Sequence, residues 1–134
     1  PEMISRQFGR IVLISSSSAF QPLPFMASYA ASNAAVLLFG EALAYEVADQ
    51  GVEVLTVCPG GMRTGFQRSA GVREVPGEKL MAPEDVVQRV INALGHNRIT
   101  LIVSFRAFAM AQLSRWLPRA ISLRVWGKLM KRLR

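Results

Sequence analysis

The sequence has a single cysteine among its 134 residues, Cys58. One cysteine excludes an internal disulfide and fits a reducing compartment. No second cysteine or basic residue adjoins Cys58, so we predict a core residue, not a nucleophile, and no metal site. No short apolar run follows a basic start, as a secretory signal would require, and we expect a cytoplasmic protein. Because the first residues from Pro1 already resemble the end of an element, we also expect the chain to be part of a longer protein.

Charge is absent from a long internal stretch. None of the thirty residues between Arg10 and Glu41 is charged. The stretch is not a membrane span, because serines, prolines and amides interrupt it. An uncharged but polar stretch of this length indicates burial against a partner, a cofactor or another subunit.

Acidic residues are also missing from the C-terminal tail. Residues 98–134 carry nine Lys or Arg and no Asp or Glu, whereas the first 97 residues hold seven basic and nine acidic side chains. The net charge of +7 therefore belongs to the tail and says nothing about the core.

Apolar periodicity predicts alternating strands and helices. Three buried strands are predicted from β-branched runs, at 11–15, 52–57 and 99–103. A helix is predicted from an N-cap at Ser28 to Gln50, with Gly51 as a left-handed C-cap. A second helix is predicted over 82–94, with Pro83 in its first turn. Residues 67–82 have no period and are expected to form a mobile loop, and the rest is helical, divided near Pro118.

This order is typical of right-handed βαβ units on a parallel sheet. In such folds ligands bind beyond the carboxyl ends of the strands. Ser15–Ser18 and the loop "CPGGMRT" (58–64) follow two of the predicted strands, so we expect both loops to share one ligand.

Four motifs resemble the short-chain dehydrogenase/reductase (SDR) family over residues 1 to about 104. "GRIVLISS" (9–16) is similar to the family's strand that ends in the catalytic Ser, and Tyr29 follows Ser16 by the family's usual thirteen residues. "YAASNAAV" (29–36) is similar to its Tyr-x-x-x-Lys helix, and "PGGMRT" (59–64) to its Pro-Gly loop. Ser17 and Ser18 are alternatives to Ser16, but the spacing favours Ser16.

The resemblance implies the C-terminal half of a Rossmann-type doubly wound α/β domain over residues 1–104, with 105–134 as its basic helical tail. The family's Gly-rich phosphate loop and Asn-Ala-Gly strand would precede Pro1. It implies NAD(P)-dependent interconversion of a small-molecule alcohol and carbonyl, with NAD or NADP as cofactor and homo-oligomers as an option. Ser16, Tyr29 and position 33 would be catalytic, and the cofactor would contact Tyr29, Asn33, Pro59, Gly60, Met62 and Thr64. Thr64 has the simpler alternative of a loop or cap residue.

The chain departs from the family pattern at position 33, where Asn replaces Lys. A phenol ordinarily has a pKa of about 10, and a Lys one helical turn away favours its charged form. Asn can donate to a ribose hydroxyl but carries no charge. The alternatives are therefore an atypical working site and an impaired SDR-like pseudoenzyme that binds or scaffolds. Phe20, Phe25 and Met26 are predicted either to line a substrate cleft or to pack elsewhere.

The tail forms an amphipathic pattern from Leu117 onward. Five basic residues share one arc of a helical wheel, and an apolar arc lies opposite: Leu123, Val125, Trp126, Leu129, Met130 and Leu133. This pattern predicts peripheral binding of residues 117–134 to an anionic membrane surface. The alternative is a helix that covers the substrate cleft or a subunit contact. Nucleic acid is not an expected partner, because the basic face has no recognition motif and no aromatic platform.

Overall fold

The computed structural model describes residues 1–73 and 79–134. Three strands, β1 (Gly9–Ile14), β2 (Val52–Cys58) and β3 (Thr100–Ile102), form a parallel sheet in the order β1-β2-β3. Gly9 pairs with Val52, and Val57 pairs with Leu101. The predicted parallel neighbours are confirmed, although β3 is shorter than its apolar run.

Six helices accompany the sheet in the described residues: α1 (Glu2–Ser5), α2 (Ala27–Glu46), α3 (Phe66–Ala70), α4 (Pro83–Ala93), α5 (Phe105–Trp116) and α6 (Arg119–Leu133). Short 3₁₀ turns lie at Ser17–Phe20 and Ala48–Gln50. Gly51 has a left-handed φ of 69° and Pro83 opens α4, as the sequence predicted. Helix α2 itself is shorter than the helix predicted to Gln50: it ends at Glu46, and Gly51 caps the 3₁₀ turn Ala48–Gln50 that follows. The break between α5 and α6 falls at Pro118, also as predicted.

The core surrounds β2, whose Leu55, Val57 and Cys58 side chains are fully buried. On one side α4 contributes Val86 and Ala93 to a cluster with Leu55, Val57 and Val103. A second cluster joins Ala44 and Val47 of the α2 end to Val52 and Val54. Helix α2 thus holds the Tyr29 segment against the strand that ends in the 58–64 loop.

Three local predictions were wrong. Ser28 is not an N-cap, because the chain turns at Phe25 (φ 68°) and α2 begins at Ala27 without a side-chain cap. The first strand is not buried on both faces: Ile11 and Leu13 pack against a core cluster on one face, whereas Val12 and Ile14 on the other face are exposed. Residues 67–82 are not all loop, because α3 occupies the start of this segment and ends at Gly71 in a left-handed conformation. Within that segment, 74–78 lie outside the described residues.

Candidate active site

The two predicted loops meet at the carboxyl ends of β1 and β2. The backbone N–H of Ser17 donates to the Pro59 carbonyl at 2.8 Å, which ties one loop to the other. The Ser15 hydroxyl donates to the backbone carbonyl of Asn33 at 2.9 Å, which ties the end of β1 to α2. These bonds bring the serine loop, the Pro-Gly loop and the first turns of α2 together.

Ser16 lies directly beyond this end of β1. Its hydroxyl oxygen accepts from the backbone N–H of Ser18 at 3.1 Å and so caps the 3₁₀ turn that follows. That bond uses one lone pair of the hydroxyl and leaves its O–H free to donate. Ser16 lines the cavity described below, and its O–H can donate to an oxygen bound there.

Tyr29 lies in the first turn of α2 and is half-buried. Its ring is tilted by 38° against the Phe66 ring, with centroids 4.9 Å apart. Such a tilted pair is favourable beyond its buried area and orients the phenol. Sequence reasoning missed Phe66, because it ends the breaker-rich stretch 58–66, where no periodicity indicates which side chain an aromatic ring contacts.

Asn33 points its amide back along its own helix. Its Nδ2 donates to the Tyr29 carbonyl at 2.9 Å, four residues earlier. The side chain is half-buried and does not belong to the described lining of the cavity below. In this position Asn33 organises the first turns of α2 and brings no charge to the phenol.

The Pro-Gly loop forms the other side of the site. Its backbone is extended by a parallel bridge between Met62 and Met81, with Arg63 N–H donating to the Met81 carbonyl at 2.9 Å. The Thr64 hydroxyl accepts from Phe66 N–H at 3.3 Å and is exposed, so Thr64 also supports the start of α3. Pro59 is buried beneath the loop, whereas Gly60, Met62 and Thr64 line the cavity.

A cavity of about 280 Å³ opens beside these residues. Ser16, Tyr29, Gly60, Met62 and Thr64 lie together on its wall. Met26 lines it too, whereas Phe25 is exposed beneath the Arg134 guanidinium and Phe20 lines a separate shallow groove. The structure therefore brings together five of the seven candidate site residues from the sequence, whereas Asn33 and Pro59 do not line the cavity.

Cys58 and His96 do not line the cavity. Cys58 is fully buried, and burial raises the pKa of its thiol to about 11, despite a hydrogen bond with Ser15 that lowers it. A thiol with so high a pKa stays protonated near neutral pH and is a poor nucleophile. His96 is exposed after α4, as predicted. No group of three or more potential metal ligands occurs in residues 1–73 and 79–134.

Comparisons with known proteins identify the same architecture. The family model described as short chain dehydrogenase matches residues 1–74. The 3-oxoacyl-[acyl-carrier-protein] reductase FabG of Rickettsia conorii is 36% identical over 96 residues, which cover 66% of this chain and 40% of that protein. Dehydrogenase/reductase SDR family member 7B of Xenopus tropicalis is 32% identical over 112 residues, covering 78% and 36%.

Solved structures agree with the sequence relatives. A short chain dehydrogenase from Burkholderia cenocepacia in complex with NADP superposes with a TM-score of 0.74 at 29% identity. The match covers 92% of this chain and 49% of that one. The chain thus spans about half or less of the length of the proteins that it resembles.

Proposed function

Because the chain belongs to the short-chain dehydrogenase/reductase family, we propose that the intact protein is an NAD(P)-dependent oxidoreductase that interconverts an alcohol and a carbonyl. The observation that carries this proposal is the convergence of Ser16, Tyr29 and the 60–64 loop on one cavity. These are the groups that hydride transfer to a carbonyl needs, because the alkoxide that forms must be hydrogen-bonded and then protonated.

Each side chain has a role in that chemistry. The Ser16 hydroxyl oxygen accepts from Ser18 N–H through one lone pair, and its O–H would donate to the carbonyl oxygen of the substrate. Tyr29, held by Phe66, would give its proton to the alkoxide, or take it in the oxidation direction. Phe66 is therefore a positioning residue for Tyr29.

The wall residues fit the nicotinamide end of a dinucleotide. Gly60, Met62 and Thr64 present backbone groups and an exposed hydroxyl to the cavity, next to Ser16 and Tyr29. A nicotinamide cofactor bound there would supply the hydride. The sequence has no Gly-rich phosphate loop that opens a helix, so the pyrophosphate would be held by other parts of the intact protein. Binding of NADP is reported for the Burkholderia relative, which supports NAD or NADP here.

Replacing Tyr29 tests the proposal. In the intact protein, Tyr29→Phe removes the proton donor and is expected to lower turnover of a carbonyl substrate by about a hundredfold or more. Binding of the reduced cofactor, followed by its fluorescence, should weaken far less than turnover falls. Tyr45→Phe is the matched control, because Tyr45 lies on the same helix and is 85% exposed, and it should leave turnover intact. Full turnover in Tyr29→Phe would contradict the assignment.

A non-catalytic binding role is the second candidate, and one observation favours it. Asn33 stands at the family's Lys position, and its amide is engaged by the Tyr29 carbonyl. No positive charge therefore stands at the position from which the family's Lys would assist proton transfer by Tyr29. We therefore propose an impaired site, whose activity the Asn33→Lys variant would restore.

We also propose that the tail contacts anionic membrane surfaces peripherally. Large apolar side chains are exposed on α5 and α6 among the basic residues: Phe105, Phe108, Leu113, Trp116, Ile121, Leu123 and Val125. Aromatic side chains beside Arg and Lys are typical of interfacial helices. None of the described helices is both long and apolar enough to cross a bilayer.

A further inference from the structure

The side of α6 that faces the protein forms a wall of the cavity. Trp126, Leu129, Met130 and Leu133 recur at intervals of three and four residues, and all four line the cavity. Met130 and Leu133 are buried in a cluster with Leu23 and Ala30, against which Trp126 and Leu129 also pack. Most of the apolar arc expected to enter a membrane is therefore used to enclose the cavity.

The C-terminal end of α6 is fixed in this position by two contacts. The backbone N–H of Arg73, which follows α3, donates to the Leu133 carbonyl at 2.8 Å. The Arg134 guanidinium lies 5.5 Å from the centroid of the Phe25 ring, within the range of a cation–π interaction. Both contacts join the C-terminal end of α6 to segments that lie beside the cavity. They fix α6 in place as one side of the cavity.

The cavity has distinct polar and apolar parts. Ser16 and Tyr29 provide hydroxyls for a reacting carbonyl, whereas Leu23, Met26 and Val72 add apolar surface to that of α6. Methionine is unbranched and adapts to different apolar shapes, and Met62, Met110 and Met130 also line the cavity. The charged residues of the described lining are Arg73 and Arg106, so a cationic body would be disfavoured.

From this division we infer that α6 selects an apolar substrate: a ketone or aldehyde, or the matching alcohol, that carries a hydrocarbon body. The inference rests on the proposed function for the position of the carbonyl beside Tyr29. The hydrocarbon body would lie against Trp126, Leu129 and Leu133. Removal of that body from water would supply most of the binding free energy.

Binding of straight-chain methyl ketones of increasing length to the intact protein tests the inference without any turnover. Each added methylene should tighten binding by about fourfold until the cavity is filled. Trp126 lines the cavity, whereas Trp116 is 84% exposed, so the two tryptophans form a matched pair of reporters. The change in tryptophan fluorescence on ketone binding should persist in Trp116→Phe and disappear in Trp126→Phe.

Two leucines of α6 provide the matched substitution. Leu129→Gln places an amide on the cavity wall and should weaken binding of a long ketone by about tenfold. Leu123→Gln makes the same change at a 48% exposed position outside this cavity and should leave binding unchanged. Circular dichroism would establish whether both variants are folded, and the chain-length series on the parent protein does not depend on either variant.

The outcomes separate the inference from the proposed function. Affinity that is independent of ketone length, or a fluorescence change that survives in Trp126→Phe, would overturn the inference. Chain-length-dependent binding without any turnover would support the inference and count against the oxidoreductase proposal. Turnover of short polar ketones with no preference for longer ones would overturn the inference and leave the oxidoreductase proposal intact.

Discussion

Asn33 is the residue at which the candidate site departs from the family's Tyr-x-x-x-Lys motif. A Lys at this position would reach along the same helix face as Tyr29, because residues four apart are neighbours on a helix. Asn instead donates to the Tyr29 carbonyl within α2. Since no residue between Arg10 and Glu41 is charged, α2 offers the phenol no other cation over its first three turns. The sequence identified this departure, but the direction of the amide required the structure.

Gly40 is a second residue with a specific local requirement. It is buried where α2 packs on the sheet, and a Cβ there would meet the Thr56 hydroxyl and, at 2.9 Å, a Leu13 methyl group. Thr56 is fully buried, and its hydroxyl has no hydrogen-bond partner among the described residues. Only glycine therefore allows the helix to approach β2 this closely.

Gly40→Ala is expected to destabilise the fold by about 1–3 kcal/mol, because overpacking forces the helix away from the strands. Chemical denaturation measures the change. Gly65→Ala is the control, since a Cβ at Gly65 would meet nothing within 4 Å, and its midpoint should stay close to that of the parent. Equal stabilities of the two variants would show that α2 does not pack on β2 at this distance.

At the scale of elements, the sheet and its two crossover helices followed directly from sequence. β2 has a nearly continuous apolar sequence because it is central and buried on both faces. Pro83 marks the start of α4, and Gly51 marks the end of the 3₁₀ turn that follows α2. β1 has the same kind of sequence but exposes Val12 and Ile14. The apolar sequence of a strand does not indicate which helices or strands will cover it. The register of a strand and the burial of its two faces depend on the whole assembled sheet and its neighbouring helices.

Helix α5 shows why the tail was harder to predict. It buries Ala107 and Ala111 and exposes Phe105 and Trp116, the reverse of the usual relation between size and burial. A helix that is apolar on both sides has no periodic signal to orient it. For α6 the sequence left membrane contact and cleft cover as alternatives, because the same apolar arc suits either. The packing of Met130 and Leu133 against Leu23 supports cleft cover for that part of the arc.

At the scale of the whole molecule, charge and exposed apolar surface coincide in the tail. Residues 98–134 carry nine basic and no acidic side chains, and Trp116 on α5 is 84% exposed. Each Lys or Arg near an anionic surface contributes about 1 kcal/mol to binding. These two features are the basis of the proposed weak, salt-sensitive attachment to a membrane surface.

Co-sedimentation with vesicles tests this attachment. Binding should require anionic lipid, weaken as salt is added, and fall severalfold in Trp116→Ala. Trp126→Ala is the informative comparison, because Trp126 packs toward the cavity, and its replacement should affect vesicle binding less. Equal partitioning of the parent protein and a variant that lacks residues 105–134 would contradict membrane contact.

The most direct test of the account is the turnover of the intact protein with Lys restored at position 33. Asn33→Lys adds a cation on the Tyr29 face of α2, whereas Ala35→Lys adds the same charge at an exposed position on another face. Hydride transfer is followed by the absorbance of the reduced nicotinamide, with a methyl ketone as substrate. We predict that Asn33→Lys raises the rate by about tenfold or more, because the added cation assists proton transfer by Tyr29, and that Ala35→Lys does not. An unchanged rate in Asn33→Lys would contradict the account, and a lower rate would contradict it and identify Asn33 as a working member of the site.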